Sequence, residues 1–381
     1  MVTTFSMTKE GILTASIKEV FVQHKRKNAV KFSSINTVML EAAANAAFVN
    51  ESCKSTKEIS KSQIIYRKLK DNKIEEIQVK FSENATRFLR MLKINSRNRK
   101  IIISFDETEE PFYGEFNKSE NNLYFHDLVY ETKGTKLCYK FLTVAITCNN
   151  GIRYILDGII LRKGDFMEDY VYEMTKKVKE NISIDVVLFD RGFNNWGIIL
   201  KLQELKVNYM IFWKKSGNWY KEPLRKLKKG RFCEVTKKYR YCRDKNGTWV
   251  SSKFIIVKQL EYDGFVNDWI FATNLNKKSA ENYVKRYKKR WGIETIFRVT
   301  DDIRIYTTST NPLVRYFLFM FTCFVYNVWK FFQFIIGEDF TLTNFCFCLV
   351  KFLIEKGFVQ PRQYNDFLSA FTKYNSLAKQ I

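Results

Sequence analysis

The spacing of apolar residues along the chain changes at residue 99. Before that point, apolar side chains recur at the three- and four-residue spacing of amphipathic helices, as in residues 35–50 and 82–94. After it come continuous apolar runs at 99–106, 136–147, 152–161, 182–190 and 207–213, which predict buried strands, with one helix at 165–180. This order predicts a mixed α/β domain, in which helices flank a sheet, behind a helical N-terminal region.

Residues 214–265 interrupt the strand pattern with a basic and aromatic segment. Between Lys214 and Lys253 there are 14 Lys or Arg residues and 3 Asp or Glu residues, and tryptophans and tyrosines are interleaved with them. The pair Asn246–Gly247 predicts a hairpin turn between two strands. Such a β-rich insertion suits contacts with a phosphate backbone and stacking on unpaired bases, and a solvated charged hairpin is the alternative. A strand at 266–274 and a helix through residues 279–298 follow.

Residues 313–336 are apolar enough to raise the possibility of a membrane span. However, Arg315, Asn327, Lys330 and Gln333 interrupt the segment. A buried helix or helix pair is the favoured interpretation, and we expect no membrane contact.

The chain is strongly basic. It has 64 Lys and Arg against 40 Asp and Glu, a net charge of +24. This excess predicts a polyanionic partner, with nucleic acid first and an anionic membrane surface second. The eight cysteines form no C-x-x-C pair and there are only two histidines, so a zinc site has no support. Cysteines in apolar runs are typical of reduced thiols in a cytoplasmic protein.

Three carboxylates stand out as candidates for chemistry. Asp106 and Asp190 each end an apolar run, and Glu294 lies on the helix before residue 298. Two aspartates at the ends of buried strands would repel each other unless cations lay between them. Two Mg²⁺ ions, with Mn²⁺ as a substitute, meet that need with oxygen ligands alone. Paired metals suit in-line attack at phosphorus.

The helix carries a stripe of polar residues around Glu294. Tyr287, Arg290, Glu294 and Arg298 are three, four and four residues apart and would share one helix face. Arginines in this position could hold phosphate oxygens, whereas i,i+4 ion pairs on a solvated face are the alternative. Trp291 could stack on an unpaired base or pack against the sheet.

Three motifs resemble the DDE-type transposases of prokaryotic insertion sequences. They are SFDETEEPFYG at 104–114, FDRGFN at 189–194, and the Tyr-x-x-Arg-x-x-x-Glu signature formed by Tyr287, Arg290 and Glu294. The resemblance covers residues 100–335 and implies an RNase H-like catalytic core. It implies that Asp106, Asp190 and Glu294 hold the metals and that Tyr287, Arg290 and Arg298 position DNA phosphates. The broader signature has a lysine where this chain has Asp301, so either Arg298 takes the phosphate-binding role of that lysine or this copy is impaired. Asp301 also shares the helix face with Glu294, which makes it a second candidate for the third carboxylate.

The resemblance leads to a complete set of expectations. The regions are a helical DNA-binding region (1–98), the core (99–213 and 266–308), the β-insertion (214–265) and a C-terminal helical region (309–381). The protein would bind the terminal inverted repeats of double-stranded DNA, cleave them and join their 3′-hydroxyls to target DNA. Pairing of two ends implies a homodimer, working on the nucleoid in the cytoplasm. A related metal-dependent nuclease and an inactive DNA-binding derivative are the alternatives.

Overall fold

The computed structural model describes residues 32–56, 61–92, 100–113, 123–132, 134–147, 152–243, 247–355 and 357–359. The chain divides into two compact units, one made of Met1–Ala85 and Arg298–Ile381, the other of Thr86–Phe297. We describe each unit by itself.

The unit of residues 86–297 contains a nine-stranded mixed sheet. Its strand order is β2-β3-β1-β5-β6-β9-β8-β7, and β4 also pairs with β3. The strands are β1 (Ile101–Pro111), β2 (His126–Thr132), β3 (Thr135–Ile146), β4 (Tyr154–Ile160), β5 (Ile184–Phe189), β6 (Tyr209–Phe212), β7 (Phe232–Tyr241), β8 (Thr248–Tyr262) and β9 (Phe265–Thr273). Its helices are α5 (Met167–Asn181), α6 (Trp196–Glu204), α7 (Lys221–Lys226) and α8 (Ala280–Lys288). The mixed α/β architecture expected from the sequence is therefore present.

The first strand is longer than the sequence suggested. We expected it to end at Asp106, but β1 continues to Pro111 and Asp106 lies within it. The extension is polar because it pairs with β3 beyond the end of β5, in the register Glu107↔Leu142 to Pro111↔Cys138. Lys140 on β3 bridges Glu107 and Glu109 at 2.8 and 3.0 Å, so charge pairing replaces apolar burial in this half of the strand.

The basic segment also belongs to the sheet. Strands β7 and β8 form a long antiparallel pair, from Phe232↔Val257 to Tyr241↔Thr248, and extend the edge beyond β9. The two strands expected on either side of Asn246–Gly247 are thus observed, although Asn246 itself lies outside the described residues. Helix α7 and strand β2 were not expected.

One predicted helix is in fact two. We expected a continuous helix through residues 279–298, but α8 ends at Lys288 and α9 (Trp291–Asp301) begins after a turn at residues 289–290. The two helices pack on different parts of the sheet. Tyr287 of α8 lies against Phe212 and Phe271, whereas Gly292 of α9 closely approaches Thr147 at the end of β3. The turn allows both contacts.

The other unit is helical. It contains α1 (Phe32–Ala44), α2 (Val49–Ser55), α3 (Ser62–Leu69), α10 (Pro312–Ile336) and α11 (Leu342–Glu355), while α4 (Ile74–Met91) and α9 cross the unit boundaries. Asn311 caps α10 by accepting from the amides of Leu313 and Val314 at 3.0 and 3.2 Å, and Pro312 occupies the first turn.

Helix α10 is a buried helix, as the sequence indicated. Within the described ranges it alone is long and apolar enough to cross a membrane, and 67% of its most apolar window is buried by protein. Its interrupting polar residues find partners, since Arg315 donates to the carbonyl of Ser309 at 2.7 Å and Lys330 to Gln333 at 2.7 Å.

Candidate active site

Parallel pairing of β1 and β5 brings two aspartates to equivalent positions on neighbouring strands. Ile103 pairs with Val187 and Ser104 with Leu188, and the same offset relates Asp106 to Asp190. Directly before them, Phe105 and Phe189 stack with ring centroids 5.2 Å apart and an interplanar angle of 8°. Neighbouring strands are about 4.8 Å apart, so residues at the same level on one face are close neighbours. The register therefore places the two carboxylates side by side.

Asp190 is fixed by the turn that follows β5. Its Oδ1 accepts from the amide of Gly192 at 2.8 Å and caps the short 3₁₀ turn Arg191–Phe193. Phe193 is buried and packs against Phe189, which anchors the turn. An aspartate in an Asp-Arg-Gly sequence is thus held by the backbone it precedes.

The charges around Asp106 show that the carboxylates share one environment. Burial is the main reason that the pKa of Asp106 rises to about 7. Arg290 opposes this rise in the pKa, whereas the charges of Asp190 and Glu294 add to it. Two neighbouring carboxylates thus disfavour the ionised form of Asp106, and a bound cation would stabilise that form.

Arg290 supplies positive charge to this group. It lies in the turn between α8 and α9, is only 6% exposed, and its guanidinium pairs with the carboxylate of Glu294. The Glu294 side chain is 53% exposed, so it can move without disturbing the core. An i,i+4 ion pair, which was the alternative considered from the sequence, therefore forms between Arg290 and Glu294.

Tyr287 lies deeper than a direct phosphate contact would require. It is 3% exposed and packs against Phe212, Phe271 and Trp269. Burial raises the pKa of its hydroxyl, and a hydrogen bond with Arg290 opposes that rise. Tyr287 thus contacts the guanidinium that pairs with Glu294.

Gly292 seats the helix that carries Glu294 and was not identified from the sequence. A Cβ at this position would lie 2.9 Å from the Cβ and 3.0 Å from the carbonyl oxygen of Thr147. Thr147 donates its amide to Ile102 of β1, and its hydroxyl is 2.8 Å from that of Ser104. Glycine therefore lets α9 approach the end of β3, which pairs with the strand that carries Asp106.

The other residues singled out from the sequence are Trp291, Arg298 and Asp301. Trp291 is 43% exposed, and the Lys288 ammonium lies 3.3 Å from the centroid of its indole ring. Arg298 and Asp301 are exposed further along α9, in residues that belong to the other unit. Oδ1 of Asp301 lies 3.8 Å from Nη1 of Arg304.

The donor chemistry fits a divalent cation. Across from Asp106 in the β1–β3 pairing lies Thr143, whose buried hydroxyl has no hydrogen-bond partner among the described residues, and the same is true of Nε of Arg290. Within those residues, no three Asp, Glu, His or Cys side chains converge tightly enough to hold a metal. Glu294 is paired with Arg290, so two aspartates and a half-exposed glutamate make up the oxygen donors.

The fold and the site together put acidic side chains near the middle of a mixed sheet. Residues 167–328 match the family model described as the transposase DDE domain, which includes Asp190 and Glu294 but not Asp106. No curated protein is significantly similar to the chain in sequence.

A solved structure is similar in fold. It is the cryo-EM structure of the piggyBac transposase synaptic complex with hairpin DNA, with a TM-score of 0.59 and 12% identity over 93% of this chain and 84% of that one. At this identity the likeness concerns the fold. The match to the transposase DDE domain supports a DNA transposase, as the sequence motifs predicted, and the structural likeness agrees with it in fold.

Proposed function

We propose that this protein is a prokaryotic-type DDE transposase whose RNase H-like core uses Asp106, Asp190 and Glu294 as metal ligands. The observation that carries the proposal is the β1–β5 register, which puts two aspartates at one level. The charge of Glu294, which is paired with Arg290, also acts on Asp106. Two Mg²⁺ ions bound there would activate the attacking hydroxyl or water and stabilise the leaving oxygen.

The neighbouring residues would hold the DNA for this reaction. Arg290 would neutralise the carboxylates in the absence of metal. When Glu294 binds a metal ion, the Arg290 guanidinium would turn towards a phosphate of the DNA. Tyr287 would act through Arg290, because it is buried and hydrogen-bonded to it. Trp291 and Arg298 are both exposed, and they would contact a base and a phosphate next to the cut.

The β7–β8 hairpin offers a second DNA-contacting surface. Trp249 is 67% exposed, and Arg240 pairs directly across from it. An exposed aromatic ring beside a guanidinium suits stacking on a base and contact with the backbone. The similar piggyBac transposase structure is a synaptic complex with hairpin DNA. We propose that this chain pairs two DNA ends as a homodimer.

The N-terminal helices would then recognise the terminal inverted repeats. The protein would work in the cytoplasm, on the nucleoid. Its net charge of +24 would supply the non-specific attraction to DNA.

The experiment uses the DNA that flanks the gene as a substrate, with Mg²⁺ and a target plasmid. The wild-type protein should cut at the element ends and join 3′-hydroxyls to the target. Alanine at Asp106, Asp190 or Glu294 should abolish cleavage and leave end binding nearly unchanged, because phosphate contacts elsewhere supply most of the affinity. Cleavage without joining would instead identify a nuclease. A Glu294→Ala variant that cuts, beside an inactive Asp301→Ala variant, would move the third carboxylate to Asp301.

A further inference from the structure

The turn that carries Asp190 is held at both ends by side-chain caps. Asp190 accepts from the amide of Gly192 at 2.8 Å, and Asn195 accepts from the amide of Gly197 at 2.7 Å at the start of α6. Only four residues separate the Asp190 cap from the Asn195 cap, so a displacement of Asn195 would reach Asp190 through a short segment held at both ends.

Asn195 is in turn bound to a buried carboxylate on another helix. Glu168, in the first turn of α5, is 2% exposed and accepts from Nδ2 of Asn195 at 2.9 Å. Its other oxygen accepts from the hydroxyl of Tyr241, at the end of β7. A buried carboxylate needs such partners, because leaving its charge without hydrogen bonds costs free energy.

The close approach of these groups depends on Gly197. A Cβ there would lie 2.8 Å from both the Glu168 carboxylate and the Tyr241 hydroxyl. Glycine at the first turn of α6 therefore leaves the space in which three elements of the chain meet.

Two further residues attach the same end of the hairpin. Tyr239 stacks on Trp196 with centroids 5.4 Å apart and an interplanar angle of 11°. Arg243 makes a two-pronged ion pair with Asp169, at 2.7 and 2.6 Å, and its guanidinium lies 4.1 Å above the ring of Phe166. The end of β7 is thus attached to residues 166–169 and 195–197.

We propose that Tyr241, Glu168 and Asn195 form a positioning relay that sets the orientation of Asp190 from the β7–β8 hairpin. The relay rests on the proposed role of Asp190 as a metal ligand. It couples the hairpin, which would lie on DNA, to a carboxylate at the reaction centre. The three residues are positioning residues and touch neither metal nor DNA.

The test is the metal dependence of cleavage by a Tyr241→Phe variant. Single-turnover cleavage of a pre-bound DNA end is measured across a Mg²⁺ titration, with DNA affinity and thermal midpoint recorded in parallel. Losing a direct hydrogen-bond partner of a metal ligand typically lowers metal affinity by about 10- to 100-fold. Tyr241 reaches Asp190 only through Glu168, Asn195 and the turn, so we expect the half-saturating Mg²⁺ concentration to rise by the lower end of that range, about tenfold. DNA affinity should stay within about twofold of wild type, since one neutral hydroxyl adds no phosphate contact.

A matched control is Tyr170→Phe. Tyr170 lies on the same helix as Glu168 and donates to Asp165 at 2.6 Å, away from the Asp190 turn. Its substitution also removes a phenol–carboxylate hydrogen bond and should leave the Mg²⁺ titration unchanged. An equal rise in both variants, or no rise in Tyr241→Phe, would overturn the relay.

Two more variants keep the outcome interpretable. Arg243→Gln removes an exposed attachment without opening the core, so a rise in half-saturating Mg²⁺ is expected even if Tyr241→Phe proves too unstable to assay. An unchanged titration in Arg243→Gln would then overturn the relay. Asp190→Ala should be inactive at every Mg²⁺ concentration. Activity in Asp190→Ala would refute the proposed function, whereas an inactive Asp190→Ala beside an unaltered Tyr241→Phe would refute the relay alone.

Discussion

Substituting Gly292 by alanine tests whether α9, the helix that carries Glu294, sits against the sheet. Alanine is the better helix former by about 1 kcal/mol, so on helix propensity alone Gly292→Ala would stabilise the protein. The structure predicts the opposite sign, because the added Cβ would lie 2.9 Å from the Cβ of Thr147 and 3.0 Å from its carbonyl oxygen.

The size of the effect follows from the overlap. Carbon atoms in contact are normally about 3.5–4.0 Å apart, so α9 would have to withdraw by roughly 0.6–1.1 Å. Overpacking of this kind costs about 1–3 kcal/mol of the free energy of unfolding. Misplacing a reacting group by about 1 Å can lower the rate by about 10²-fold. Glu294 lies two residues from the clash, so we expect cleavage to fall by at least about tenfold.

The assay combines chemical denaturation with single-turnover cleavage of a pre-bound DNA end. The matched control is Thr295→Ala on the same helix, which loses only a 3.1 Å hydrogen bond from its hydroxyl to the carbonyl of Trp291. The control should keep near-wild-type stability and rate. A Gly292→Ala variant that is more stable than wild type and cleaves normally would refute the seating of α9 on β3.

Three further predictions concern charge and exposure. In metal-free buffer, Asp106→Asn should stabilise the protein more at pH 8 than at pH 5, because a folded-state pKa of about 7 lies above the unfolded value and ionisation therefore lowers stability as pH rises. The difference, from denaturation curves in chelator, should be at most about 3 kcal/mol, and equal stabilisation at both pH values would contradict it. Arg298→Ala should keep the wild-type thermal midpoint but cleave DNA at least about tenfold more slowly. Arg298→Lys should restore only part of the rate, because lysine cannot bind a phosphate through two parallel hydrogen bonds, and wild-type rates in both variants would remove Arg298 from the site. Trp249→Ala should weaken binding of DNA with unpaired bases by about 1–3 kcal/mol and affect fully paired DNA less, as fluorescence anisotropy would show; equal losses on both would exclude stacking.

The parts of the site that the sequence could predict were those set by local pattern. Asp190 ends a continuous apolar run and opens an Asp-Arg-Gly turn, and both features are readable within ten residues. The ion pair of Glu294 follows from i,i+4 spacing alone, although the sequence also allowed Arg298 as the partner. Apolar runs likewise indicated the strands that form the centre of the sheet.

What the sequence could not predict depends on partners far along the chain. Asp106 falls within β1 because β3 pairs with the polar half of that strand, and only the fold reveals this pairing. The turn at Arg290 arises because α8 and α9 pack against different strands. The spacing of apolar residues along the two helices does not predict this break. Tyr241 and Glu168 are 73 residues apart, and neither belongs to a recognisable motif.

The most direct test of the central claim is to locate the bound metal in the protein itself. Fe²⁺ in place of Mg²⁺, with ascorbate and peroxide, generates radicals that cut the backbone next to the metal. The account predicts three sets of fragments, ending near Asp106, Asp190 and Glu294, which excess Mg²⁺ suppresses and which Asp190→Ala loses. Cuts confined to other segments, in a protein that still cleaves DNA, would contradict a site built from these three carboxylates.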